Sequence, residues 1–210
     1  MNKPILLWNA RVAEQGGGKG RFSRYQAGLL AVLLISPWLG TPAFADSDAM
    51  LDEARKVAMQ LPPKLMATLQ DEIVKSGLVG AIPVCKESTP KIAGAVSQET
   101  GWKIKRVSLK TRNETRATPD SWEKAALEEF DKRVAAGEPP AKLEKGEKVG
   151  NEYRYAKALP VQPLCLGCHG QGEVSPEVQE VLGKNYLKDQ ATGYAEGQIR
   201  GAISIRKAMP

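Results

Sequence analysis

The chain has 210 residues, 42% of them hydrophobic and 26% charged, which is apolar enough for one packed domain and excludes a disordered segment. Its 30 basic and 24 acidic residues give a net charge of +6. Five of those basic residues and only one of the acidic ones lie in positions 1–45, so residues 46–210 carry a net of +2 and no nucleic-acid partner is expected.

Residues 1–45 read as an export signal. Arg21 and Arg24 precede a ten-residue apolar run from Ala27 to Ser36, and Ala43-Phe44-Ala45 follows as a small-residue cleavage pattern. The run falls short of the ~20 apolar residues that span a bilayer. Cleavage before Asp46 is therefore expected, leaving one periplasmic domain over residues 46–210 that is not an integral membrane protein. Gly16-Gly17-Gly18-Lys19 lacks the leading glycine and the hydroxyl of a phosphate loop.

In the remaining chain, Met50, Leu51, Ala54, Val57, Ala58 and Leu61 recur at helical spacing and predict a helix over 47–61. Pro62-Pro63 ends it and can start the next. Leu65, Leu69, Ile73 and Val74 make a second helical stripe before Gly77, and a third helix is predicted over 81–100, stopped by Gly101 and interrupted by Pro90. The pattern then changes. Residues 102–109 read as a strand, Thr118-Pro119-Asp120 opens a helix running through Ala136 to Gly137, and 142–148 reads as a charged, turn-prone connection. Tyr153, Tyr155 and Leu159 mark a second strand. Ser175-Pro176-Glu177 caps a helix to about Leu187, and 197–205 reads as a terminal strand with Ile199, Ile203 and Ile205 as its apolar members. The class is α+β, helices first and then a sheet assembled from separated strands.

Between the second and third of these strand-forming stretches lies the most informative segment, Cys165-Leu166-Gly167-Cys168-His169, which contains the chain's one histidine. Two cysteines three apart with histidine next is the pattern that attaches a c-type haem. On a helical turn, positions i, i+3 and i+4 share a face, so two thiols can add to the porphyrin vinyl groups while the imidazole reaches the iron. Gly167 and Gly170 keep the adjacent backbone thin. A zinc site would need two further ligands, and only Cys85 remains as a soft one. A thioredoxin-like couple would open a βαβ unit, which this segment does not. The expected cofactor is one haem c per chain, covalently attached.

A single histidine excludes bis-histidine ligation within one chain. The second axial ligand is then cysteine, methionine, lysine, a small molecule or nothing. Met50, Met59, Met66 and Met209 follow the export signal. Cys85 is left without a disulfide partner once Cys165 and Cys168 are consumed, and iron would deprotonate its thiol. Arg106, Arg112 and Arg200 are candidates to meet the haem propionates.

Several stretches in order resemble the PAS-like single-haem c-type family described in cyanobacteria: Ala81-Ile82-Pro83-Val84-Cys85, Arg106-Val107-Ser108-Leu109-Lys110, Arg112-Asn113, Pro119-Asp120-Ser121-Trp122-Glu123, Cys165 to Gly170, Asp189-Gln190-Ala191-Thr192-Gly193-Tyr194 and Gly201-Ala202-Ile203-Ser204. Glu114 and Gln198 depart from that pattern. The resemblance implies a PAS-like antiparallel sheet and His169 with Cys85 as axial ligands. A thiolate favours ferric iron and a low potential, and its release on reduction opens a site for a small gas. A redox or gas sensor acting on a redox or signalling partner is the expectation, with a soluble electron-transfer cytochrome c as the alternative. An enzyme lacks support, since no second histidine and no acid/base pair accompany the motif.

Overall fold

In a computed structural model, residues 43–172 and 174–209 are described. The export signal predicted for residues 1–45 lies outside them, except that the first helix, α1 (Ala43–Ala58), begins inside the proposed cleavage pattern. Ala54, Val57 and Ala58 are buried, as their spacing predicts.

The two helices expected on either side of Gly77 are present as the two arms of α2 (Leu61–Thr100), which meet in a kink at Gly77, whose φ of 68° and ψ of −175° are not helical. Pro83 and Pro90 lie inside it. Proline cannot donate to the carbonyl four residues back, and the Lys86 carbonyl, left free by Pro90, receives the Arg116 Nη1 donor at 3.5 Å. Gly101 ends the helix in the left-handed region at φ 74°, its N–H on the Ser97 carbonyl at 3.0 Å. A Cβ at Gly101 would meet nothing within 4 Å. Gly101→Ala is therefore expected to cost only the left-handed backbone penalty, about 1–2 kcal/mol, read as a shift in urea midpoint without a change in slope.

Four strands form an antiparallel sheet in the order β1-β4-β3-β2: β1 (Lys103–Val107), β2 (Glu144–Val149), β3 (Glu152–Pro160) and β4 (Ile199–Ala208). The terminal strand is thus central, between β1 and β3. β2 corrects the reading of 142–148 as a connection: Glu144-Lys145-Gly146-Glu147-Lys148 carries no apolar alternation, and it is extended because β3 supplies its hydrogen bonds at the sheet edge.

Alternation sends β3 and β4 side chains to two cores. Tyr153, Tyr155, Ile203 and Ile205 pack with Trp102, Val57, Leu61 and Val96 beneath α1 and α2. Ala156, Ala158 and Ala202 face Leu127 and Phe130 of α4 (Ser121–Ala135), following the short α3 (Glu114–Ala117). Asp120, expected to open this helix, caps it in a capping box, with Glu123 returning to the Asp120 N–H at 2.8 Å. Glu123 is also buried against the sheet, accepting from Ser204 Oγ at 2.6 Å and pairing with Lys105 Nζ at 2.8 Å. That pair ties α4 to β1, the strand that carries Arg106. Among the described residues, no helix is long and apolar enough to cross a membrane.

Candidate cofactor site

The histidine motif forms a seven-residue helix, α5 (Pro163–His169). Extended Gln162 leads into Pro163, whose missing N–H costs nothing in a first turn, and the Gly170 N–H closes on the Leu166 carbonyl at 2.8 Å. Cys165, Cys168 and His169 lie at i, i+3 and i+4, and all three line one cavity. The cavity has two lobes of about 400 and 210 Å³, which share Cys85, Arg106, Arg112, Leu159, His169, Tyr186 and Arg200. Cys165 and Cys168 stand on the wall of the smaller lobe. Together the lobes match the ~300–1,000 Å³ of small-molecule and cofactor sites. All three cysteines are free thiols.

A segment far along the chain fixes the imidazole. The Gly193 N–H bonds to the Gly170 carbonyl at 3.0 Å, and the Tyr194 N–H to the His169 carbonyl at 2.9 Å. This brings the Ala191 carbonyl 2.6 Å from His169 Nδ1. A carbonyl only accepts, so Nδ1 carries the proton and Nε2 keeps its lone pair. Arg200 Nε lies 3.2 Å from the same Nδ1, but two N–H groups cannot bond to each other, and that contact is packing in this tautomer. Arg112 Nη1 reaches the Nε2 lone pair at 3.4 Å. Burial, then the Arg200 and Arg112 charges, hold the His169 pKa well below its ordinary value, so the ring is neutral, the form that binds metal.

Cys85 comes from α2 and is half-buried on both lobes. Burial pushes its thiol pKa up, against the pull of Arg106 and Arg112. Cys168 is likewise raised by burial.

The cavity is cationic. Arg106, Arg112 and Arg200 line both lobes, Lys86, Lys105 and Arg116 join them in the larger one, and no Asp or Glu lines either. The arginines have separate tasks. Arg112 bonds Asp189 Oδ2 through Nε at 3.0 Å and the Cys168 and Ala191 carbonyls through Nη2 at 2.5 and 3.3 Å. It fastens the loop after α6 (Pro176–Asn185) to the end of α5, which leaves it few donors for a ligand. Arg200 is committed to Ser108 Oγ at 2.9 Å and lies 5.5 Å from the Tyr194 ring centre, and burial brings its pKa down to about 10. Arg106 has no hydrogen-bond partner among the described residues, and burial depresses its pKa too. A half-buried guanidinium that lines both lobes with unspent donors invites an anion.

These observations fit a haem. Two thiols on one wall, a neutral imidazole with its Nε2 lone pair free of any tautomeric claim, a third sulfur on both lobes and an unpaired arginine match the vinyl edge, the two faces of the iron and an anionic edge. Asp189 and the Ala191 carbonyl brace this site and Tyr186 lines it, parts that the sequence did not reveal. The stretch 189–194 is visible there only as a matching segment. A Cβ at Gly167 would sit 2.7 Å from Leu78 Cδ1, so its thinness also admits α2.

A family model described as Tll0287-like matches residues 43–208. Among solved structures, the chain is similar to the crystal structure of the cyanobacterial heme-protein Tll0287, with a TM-score of 0.59 and 21% identity over 77% of this chain and 95% of that one. That likeness speaks to the fold. No curated protein matches.

Proposed function

The chain belongs to the Tll0287-like family, and on that premise we propose that it is an exported c-type haem protein with one haem per chain, held axially by His169 and Cys85 and serving as a redox or gas sensor in the periplasm. The observation that carries the reading is the shared cavity: Cys165, Cys168, His169 and Cys85 line the lobe that Arg106, Arg112 and Arg200 also border. The solved relative is titled a heme-protein, which supports the same cofactor here.

Cys165 and Cys168 would hold the group through thioethers, so it is not lost by exchange. The Ala191 carbonyl keeps the His169 proton on Nδ1, which would leave Nε2 to bind the iron. Bound there, haem supplies a one-electron couple whose potential an anionic sulfur ligand lowers. Arg106 offers its free donors to a propionate, and the neighbouring arginines balance a dianionic group. Arg112 would give up its contact with Nε2 to a metal on that lone pair and would keep Asp189 and the two carbonyls.

A second reading, electron transfer, rests on Leu164, which lines the thiol-bearing lobe and remains 37% exposed beside Cys165. An apolar edge at the surface suits brief docking of a redox partner.

Expression in a periplasm with a haem-maturation system tests the assignment. The intact mass should equal the chain from Asp46 plus one haem, and acid-acetone should leave the colour on the protein. Cys165→Ala with Cys168→Ala should make the colour extractable. Freely extracted haem from the unaltered protein would end the c-type reading. Carbon monoxide or nitric oxide binding by the reduced protein separates a sensor from a carrier whose iron takes up neither gas.

A further inference from the structure

The smaller cavity lobe contains one more side chain able to bind iron. Met66 lines it together with Cys85, Cys165, Cys168 and His169. The other methionines of the described chain are elsewhere: Met50 and Met209 pack on the Trp102 core, and Met59 is 50% exposed. Met66 belongs to none of the buried clusters, which sets it apart from the core filler that a methionine on a helical stripe usually is.

The kink in α2 explains how Met66 and Cys85 share a wall. Before it, Leu65, Met66, Leu69 and Ile73 line the lobe at helical spacing. Beyond it, Leu78, Ala81, Ile82 and Cys85 do the same. Leu78 lies five positions after Ile73, so in an unbroken helix the second stripe would point about 140° away from the first. The non-helical backbone at Gly77 turns both stripes onto one lobe. Two sulfur donors of opposite preference result: a thiolate, anionic and suited to ferric iron, and a thioether, neutral, soft and suited to ferrous iron.

We propose that Met66 replaces Cys85 as the sixth iron ligand when the haem is reduced. This rests on the reading of His169 and Cys85 as the ferric ligand pair. One electron from a low-potential donor converts Fe(III) to Fe(II). The iron–Cys85 bond breaks and the thiolate takes one proton from solvent, while a Met66 Sδ lone pair forms the new bond. The segment before Gly77 acts as the arm that delivers it.

The test uses the mature haem-loaded protein reduced with dithionite. Ferrous wild type should be low-spin and six-coordinate, with a methionine methyl resonance shifted strongly upfield by the haem ring current. Ferrous Met66→Leu should lose that resonance and become high-spin, and its potential should fall because a ferrous-favouring ligand is gone. Its ferric spectrum should match wild type, which also reports an intact fold, and Met59→Leu should change nothing. A ferrous wild type without the resonance, or a Met66→Leu variant with the wild-type ferrous spectrum, overturns the proposal. Failure of the underlying reading looks different: the ferric spectrum of Cys85→Ala would then equal wild type.

Discussion

Cys85→Ala is expected to leave the haem attached, shift the ferric spectrum from low-spin thiolate to high-spin or water-ligated iron, and raise the midpoint potential. Attachment survives because Cys165 and Cys168 are on α5, while Cys85 comes from α2. The potential rises because the substitution removes an anionic donor that favours Fe(III), and the remaining neighbours, Arg106, Arg112 and Arg200, all carry positive charge that favours the reduced state. Axial ligands span roughly 0.8 V, so a gain on the order of 100 mV or more is expected. Spectroelectrochemical titration of both proteins measures it. An unchanged potential and spectrum would remove thiolate ligation, and the sensor reading with it, since the proposed switch is the iron–sulfur bond.

Arg112→Leu should be the most destabilising single change at the site. Arg112 and Asp189 are only 12% and 11% exposed, and the guanidinium also holds the Cys168 and Ala191 carbonyls. Removing it strands a buried carboxylate and two acceptors, which costs about 3–5 kcal/mol. Urea unfolding gives the number. Asp189→Asn in the Arg112→Leu background should recover part of the loss, because the stranded charge is then gone. Arg112→Lys should recover little, since one ammonium cannot span three acceptors that a planar fork reaches together. A loss below about 1 kcal/mol would mean that the bridge between α5 and the 189–194 loop is not what holds the imidazole.

The parts of this chain that were legible beforehand are those decided within a few residues. The shared face of Cys165, Cys168 and His169 follows from helical spacing alone. The helix start at Asp120, the Ser175 cap and the helix ends at Gly101 and Gly137 are also as expected. So is the burial of Ile199, Ile203 and Ile205, whose β-branched side chains suit a central strand.

Other features depended on partners that no local pattern encodes. Residues 144–149 look like a solvated connection until β3 lies alongside, and only then do their backbone groups have somewhere to go. Gly77 ends one helical arm as its position predicts, and only the fold shows that the break turns both arms of α2 onto a common wall. Arg112 and Asp189 meet across 77 positions, and which of three arginines keeps its donors free is decided by what the other two find nearby. Sequence by itself determined the α+β class, the caps and the thiol-imidazole face, because short-range sterics and hydrogen bonding set these. Only the tertiary structure decided the cationic cavity, the tautomer of His169 and the meeting of Cys85 with Met66, because each depends on segments that become neighbours when the cores close.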